Sequence, residues 1–368
     1  MRSVLICTVG TSLKSNLERA TDKPLATLLD SNNIKALSLE LSNLAPEDRM
    51  LGAEINSVAG IVNKGMLAER IYLYLLVSDT LDGIKIGDLL KAYFSRHLNT
   101  LAFEHVEKQV IEDLTDKSAE RFRRQGLRNL VKAIAEIVRR HGTDCVLINA
   151  TGGYKAQISF AGMIGQALEI PVCYLFEKFS EVIELPPQPI AMDMNLWLSN
   201  ASFFYELEGD GVVENPVKRE PRLASLVEEV VPGCGTWTLS ATGQLFHETF
   251  AEQFRRQRQS LLPPACAIPP EKKVIRYEDG NAGKHKGLAG YLRKLCQRSY
   301  VERIYTHYFN PRLSQRNLFR ISAKGDVSQI EGVYSDGQAT TKFDVVTTAK
   351  DEMQRNAVLA DLFWFLTN

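Results

Sequence analysis

The 368-residue chain is poor in the patterns that mark metal or disulfide chemistry. Its six cysteines (Cys7, Cys145, Cys173, Cys234, Cys266 and Cys296) form no CxxC pair and no zinc-type spacing, and its six histidines form no HExxH. No structural or catalytic metal is therefore expected. Long apolar runs are also missing. No stretch reaches membrane-spanning length, and the opening run Val4–Val9 is too short for a secretory leader and ends in Gly10. A cytoplasmic chain with no membrane partner is the expectation. Cys7, Cys145 and Cys173 fall in predicted strands and read as buried small hydrophobes of a reducing compartment. GxxxxGK[ST] and GxGxxG are both absent, which argues against a P-loop triphosphatase and a simple dinucleotide enzyme. Net charge is absent too, with 44 basic against 44 acidic residues. The balance is uneven along the chain. Residues 281–330 carry ten Lys/Arg against Glu302 and Asp326, a local net charge of +8, which points that segment at a polyanion.

What is present centres on Val146–Gln157, VLINATGGYKAQ. The apolar run from Cys145 to Ile148 suits a strand buried on both faces of a parallel sheet. Gly152 and Gly153 make a turn, and Ile158, Ala161, Ile164 and Leu168 then recur at helical spacing. Strand, glycine turn and helix together aim free N–H groups at one spot, a ready anion site. Lys155 at the helix start is disfavoured by the helix dipole unless an anion sits between them. The chain start, VLICTV followed by Gly10, Thr11 and Ser12, has the same form. In an open parallel sheet two such strand ends share the crevice at the topological switch point.

Residues 1 to about 185 alternate strand and helix, an α/β, Rossmann-like pattern. Ile71–Val77 is a predicted strand; Leu101, Phe103 and Val106 lie in another. Ala119–Arg140 is a predicted helix ended by Gly142, and Pro171–Phe176 pairs with Glu181–Leu185. From 190 to about 258, Asp193 caps a helix running through Tyr205, Arg222–Val230 forms a second helix, and Ser240 caps a third. Ser260–Pro270 reads as a proline-rich linker. Beyond it, a basic helix Leu288–Ser299, strands Leu318–Ser322, Val327–Tyr334 and Lys342–Thr347, and a closing helix Asp351–Leu366 give an α+β reading.

Four stretches, LICTVGTSL, AEINSVAG (53–60), LLVSDT (75–80) and NATGGYKAQ (149–157), resemble in sequence and order the CRISPR-associated Rossmann-fold (CARF) sensor domain. The resemblance implies a homodimer that binds a cyclic oligoadenylate, usually the tetramer, across its two-fold axis, as allosteric activator rather than cofactor. A symmetric ring of phosphates suits two facing copies of a cationic crevice. By resemblance the pocket would be lined by Gly10, Thr11, Ser12, Thr151, Gly152, Gly153 and Lys155, with Glu54, Asn56, Ser57 and Ser78 as rim contacts. Asn56 and Ser57 equally suit helix capping. W-x-L-S-x-x-G from Trp237 resembles the closing wing of a winged helix-turn-helix.

The C-terminal stretch resembles the RelE family of mRNA interferases in size, strand order and basic loading. That implies metal-free cleavage of mRNA in the ribosomal A site, with the ribosome and mRNA as partners. Attack by a 2′-hydroxyl needs positive charge at the developing phosphorane plus a proton acceptor and donor. The candidates are Arg312, Arg316, Arg320, Lys324, Lys284, His285 and Lys286, with His285 or His307 moving a proton. A HEPN ribonuclease does not fit: Arg303 to His307 leaves three residues between, Arg298 to His307 leaves eight, and the region is strand-rich. The expected organisation is thus a CARF sensor at 1–188, a winged helix-turn-helix at 189–258, a linker at 259–270 and a RelE-like domain at 271–368. The expected activity is a cyclic-tetra-adenylate-activated endoribonuclease of type III CRISPR defence. A DNA-binding regulator and a ring nuclease that consumes cyclic oligoadenylate are the alternatives; Thr11 or Ser12 beside Lys155 would serve the latter.

Overall fold

The structure, a computed structural model, describes residues 2–19, 23–176, 181–188, 193–208, 215, 217, 220–281, 284–323 and 325–367. It divides into two compact units. The first comprises Met1–Met192, Arg222–Glu228 and Ser240–Thr249; the second comprises Asp193–Pro221, Glu229–Leu239 and Phe250–Asn368.

The first unit runs β1 (Val4–Thr8), α1 (Ser12–Arg19), α2 (Lys23–Asp30), α3 (Ile34–Leu41), α4 (Gly52–Asn63), β2 (Tyr72–Ser78), α5 (Leu81–Phe94) and β3 (His105–Ile111). It continues with α6 (Ala119–Arg121), α7 (Leu127–His141), β4 (Val146–Asn149), α8 (Lys155–Ala167), β5 (Val172–Tyr174) and β6 (Ile183–Leu185). The sheet order is β3-β2-β1-β4-β5-β6, parallel except for the antiparallel β5–β6 pair. Strand order reverses at β1, so the switch point lies between the carboxyl ends of β1 and β4.

Alternation along the strands builds a core on each face. Leu5, Cys7, Leu73, Leu75 and Leu147 pack on one side with α1 to α5. Val4, Ile6, Leu76, Val146 and Ile148 pack on the other against α7 and α8. Leu5 and Ile6 are fully buried, each worth about 1.5–3 kcal/mol in transfer alone. Such strands have no exposed face, which is why they read as continuous apolar runs.

Three local expectations are corrected. The third strand starts at His105, and Leu101 and Phe103 are buried before it begins. The long helix is broken by a π-helical turn at Phe122–Gly126. A Cβ on Gly126 would lie 2.6 Å from the Asp113 carbonyl, so a glycine marks the break. Cys145 ends a 3₁₀ turn ahead of β4 rather than lying in the strand. Gly142 caps α7 as expected, at φ +82° with its N–H on Val138 O.

The second unit contains α9 (Met194–Ser199), capped by Asp193 Oδ1 on Leu196 N at 3.1 Å, and α10 (Ala201–Glu208). The chain then forms β7 (Val227–Glu229), β8 (Trp237–Leu239) and α11 (Ala241–Leu261), whose residues are divided between the two units. Ser240 caps α11 through Gly243 N–H at 3.1 Å. The predicted helix Arg222–Val230 is not formed. A 3₁₀ turn at Pro221–Leu223 and strand β7 stand there instead, as a β-branched Val-Glu-Glu-Val-Val run favours.

Beyond α11 come β9 (Val274–Tyr277), α12 (Leu288–Cys296), β10 (Val301–Asn310), β11 (Leu318–Ile321), β12 (Gln329–Ser335), β13 (Thr340–Thr347) and α13 (Glu352–Thr367). They form a sheet of order β11-β12-β13-β10-β9, with β9 parallel to β10 and the other pairs antiparallel. Leu288, Leu292, Ile304, Phe319, Phe343, Val345, Val358 and Leu362 join one sheet face to α12 and α13. The proline-rich stretch is no free tether. Cys266 N–H donates to Ser299 O at 2.8 Å, Pro264 O accepts from Thr348 Oγ1 at 2.6 Å, and Leu262 packs on this core. Proline leaves carbonyls without neighbouring N–H partners, and these are taken up by the sheet domain.

Candidate functional site

At the switch point the β1 and β4 turns touch. A Cβ on Gly10 would lie 2.7 Å from Gly153 N, so only glycine permits the approach. Gly153 sits at φ +105°. Thr8 Oγ1 ties the strands by donating to Gly152 O at 2.5 Å. Fully buried Gln157 completes the joint: Oε1 accepts from Tyr154 N at 3.3 Å and Nε2 donates to Leu76 O at 3.4 Å.

Several predicted pocket residues are consumed inside this frame. Glu54 is 1% exposed; its carboxylate accepts Gly10 N–H at 2.7 Å and Ser12 Oγ at 3.1 Å. It is a buried anchor, not a rim contact. Ser12 Oγ also accepts Ala53 N–H at 3.0 Å. Ser57 is fully buried, donating to Glu54 O at 3.1 Å and accepting Asn149 Nδ2 at 2.8 Å. Asn56 Nδ2 bonds Pro46 O and Asp48 O at 2.8 and 2.9 Å, holding the chain before α4. Thr151 Oγ1 donates to Asn149 Oδ1 at 2.6 Å and accepts Leu175 N–H at 3.0 Å. Ser78 is buried against Thr80 Oγ1 at 2.9 Å and also meets the Tyr154 hydroxyl, whose pKa burial pushes up. These contacts satisfy buried polar groups.

Thr11 and Lys155 remain. Both are exposed at the two glycine turns, and among the described residues neither side chain has a partner. A hydroxyl and an ammonium thus follow the two touching turns at the starts of α1 and α8, a combination suited to phosphate.

In the second unit the predicted cations separate. Arg312 and Arg316 lie exposed on the loop after β10, their side chains without partners among the described residues. Arg320 is paired with Glu331 at 2.6 Å. Lys324 lies outside the described residues. Lys284 and Lys286 are exposed at the start of α12. His285 between them is 5% exposed, its Nδ1 2.8 Å from Thr341 Oγ1, with Phe309 and Tyr334 edge-on. Its Nε2 stands 3.4 Å from Asp336, whose carboxyl is held down at about 2, first by the N–H groups of Ala339 and Gln338. His285 is thus a packed core histidine, not an exposed proton carrier.

The open face of the sheet presents a different set. Register aligns Arg276, Tyr305, Asp344, Glu331 and Arg320 across the five strands. The guanidiniums of Arg303 and Arg276 stand 5.5 and 5.9 Å from the Tyr305 ring centre, and Lys342 Nζ stands 5.2 Å from that of Tyr308. His307 Nε2 is 3.7 Å from Asp344 Oδ1. Arg276, Arg303, His307 and Tyr308 are exposed. Interleaved cations and aromatics on an open sheet suit a single-stranded nucleic acid. Sequence reasoning missed this face because β9 and β10 were not foreseen. The alternation in VIRY and ERIYTHY was the available signal.

Residues 49–188 match the model of a family described as CRISPR-associated protein (Cas_APE2256). The match covers less than half of the chain. It includes Glu54, Gly152, Gly153 and Lys155 but not Gly10–Ser12 or the second unit. No curated protein matches the chain. A solved structure of Can2 from Sulfobacillus thermosulfidooxidans in complex with cyclic tetra-adenylate is similar at 11% identity over 70% of this chain and 68% of that one, with a TM-score of 0.24. Similarity at that level defines no common fold over the two chains.

Among the described residues no group of three or more His, Cys, Asp or Glu is arranged to hold a metal, and no helix is long and apolar enough to cross a membrane.

Proposed function

We propose that the chain is a cyclic-oligoadenylate-activated endoribonuclease of type III CRISPR defence. The first unit is the sensor. The observation that carries this reading is the pair Thr11 and Lys155, exposed and unpartnered at two touching glycine turns of a switch point. The CRISPR-associated family match over residues 49–188 supports it. Cyclic tetra-adenylate is the proposed ligand, held by a homodimer with one ring on the two-fold axis. A ring of diesters matches two facing copies of this crevice.

The second unit is the effector, cutting mRNA on the ribosome. The ribose 2′-oxygen gives up its proton and bonds to phosphorus; the P–O5′ bond breaks, leaving a 2′,3′-cyclic phosphate and a 5′-hydroxyl. Arg276 and Arg303 would supply charge to the phosphorane, and Tyr305 and His307, which stands 3.7 Å from Asp344, would move protons. Tyr308 and Lys342 offer a base-stacking edge, and Arg312 and Arg316 position the strand. Activation by the ring is limited to its differential affinity for the idle and active arrangements.

The test is translation in vitro with and without cyclic tetra-adenylate, followed by primer extension on the mRNA. Ring-dependent cuts at codon-length intervals are expected. Loss of ring with intact mRNA makes the protein a ring nuclease. Sequence-specific duplex DNA binding without cutting makes it a regulator.

A further inference from the structure

Glu54 places a carboxylate directly behind an intended phosphate site. The residue is 1% exposed, and among the described residues no cation is paired with it. Its Oε1 accepts Gly10 N–H at 2.7 Å. A Cβ on Gly10 would lie 3.4 Å from that oxygen, and one on Gly152 would collide with it. Only the thickness of a glycine therefore separates this charge from the floor of the crevice. Glu54 also draws the Ser12 hydroxyl inward at 3.1 Å, which removes a donor from any incoming anion.

An acidic group under an anion site weakens binding, so its value lies in discrimination. Coulomb repulsion scales with the charge that arrives, and in a partly desolvated site one extra unit charge is worth about tenfold or more in affinity. A phosphodiester brings one negative charge per phosphate, whereas a terminal phosphomonoester brings close to two near pH 7. A built-in repulsive element is a common means of excluding a near-cognate ligand.

We propose that Glu54 is a charge filter, a specificity-determining residue that admits phosphodiesters and turns away phosphate-ended nucleotides. The inference rests on the reading of the crevice as a cyclic-oligoadenylate site. A ring has no ends, so it passes the filter, while mononucleotides and 5′-phosphorylated linear oligoadenylates do not. The carboxylate reaches the ligand only through its field, since Gly10 and Ser12 hold both its oxygens.

The experiment is calorimetry on the full chain with three probes: cyclic tetra-adenylate, linear tetra-adenylate with a 5′-hydroxyl, and the same oligomer with a 5′-phosphate. Wild type is expected to bind the 5′-hydroxyl form about fivefold or more tighter than the 5′-phosphate form. Glu54→Gln keeps an acceptor for Gly10 N–H and loses the charge. It should erase that preference, gaining about tenfold for the 5′-phosphate form and less for the ring. Ser12→Ala keeps the carboxylate and should keep the preference. A wild type without preference, or a folded Glu54→Gln that retains it, overturns the filter. The wild-type comparison needs no variant, so it decides even if Glu54→Gln misfolds. Preference among linear forms with no affinity for the ring overturns the sensor reading and leaves the filter standing. No binding of any probe overturns both.

Discussion

Tyr300 and Asp361 are both fully buried, and the tyrosine hydroxyl donates to Oδ2 of the aspartate at 2.6 Å. Arg258 of α11 is paired with Oδ1 of the same carboxylate, and Arg298 stands 3.7 Å from Oδ2. Both guanidiniums also lie over the Trp364 ring. This cluster joins α11, the turn between α12 and β10, and α13 within the second unit. Removing the carboxylate leaves charge without its counterion in a desolvated place. Asp361→Ala should cost about 3–5 kcal/mol and Tyr300→Phe about 1–3 kcal/mol. Urea titration followed by tryptophan fluorescence measures both; a loss below 1 kcal/mol in Asp361→Ala would contradict the assignment.

Tyr291 is the opposite case. Its buried hydroxyl has no hydrogen-bond partner among the described residues. Tyr291→Phe removes an unmet polar group and should stabilise by about 1 kcal/mol. Burial pushes the Tyr291 and Tyr300 phenols above the usual 10. Both therefore stay protonated in the folded state after the unfolded chain ionises. Their contribution is fully present below pH 10 and is lost as pH rises through the folded pKa values. Thermal midpoints recorded from pH 8 to 11 should fall above about pH 10, and Tyr291→Phe with Tyr300→Phe should flatten that decline.

For the proposed sensor site, Lys155→Ala should weaken cyclic tetra-adenylate binding by about 10- to 100-fold, as expected for one charge-assisted contact. The thermal midpoint should not move, since Lys155 is exposed and unpaired. Light scattering should report a dimer, and titration one ring per two chains. One ring per chain would contradict the two-fold site.

Gly152→Ala tests the joint beneath that site. The added methyl meets Glu54 Oε1 and the Thr8 carbonyl, so the turn must open. Stability should fall by about 1–3 kcal/mol and ring affinity should fall with it. Binding equal to wild type would show that the two turns can separate without consequence.

On the proposed nuclease face, Arg303→Ala and Tyr305→Phe should each lower single-turnover cleavage about 100-fold or more at saturating ribosome complex. Arg312→Ala with Arg316→Ala should instead weaken binding and reduce its salt dependence. His285→Gln should act on stability, since the ring is packed and bonded to Thr341. A cleavage defect confined to His285→Gln would move the chemistry to the start of α12.

The sequence by itself determined the parallel sheet of the first unit and the glycine turns that meet at its switch point. Continuous apolar runs such as VLICT and VLIN have one stable use, a strand covered on both faces, and glycine turns after them have one direction to point. Capping by Asp193 and Ser240 and the Gly142 stop were legible for the same reason: each depends on neighbours in the chain. Tertiary structure alone decided which polar groups of the motifs stay free. Glu54, Ser57 and Thr151 sit in promising positions of the sequence, yet partners up to 92 residues away consume them and leave Thr11 and Lys155 exposed. It likewise gathered Arg276, Arg303 and Tyr305 from two strands onto one open face. Hydrogen bonds and burial are settled between segments distant in sequence, so residue type and spacing name the candidates, and only the fold assigns them to frame or to surface.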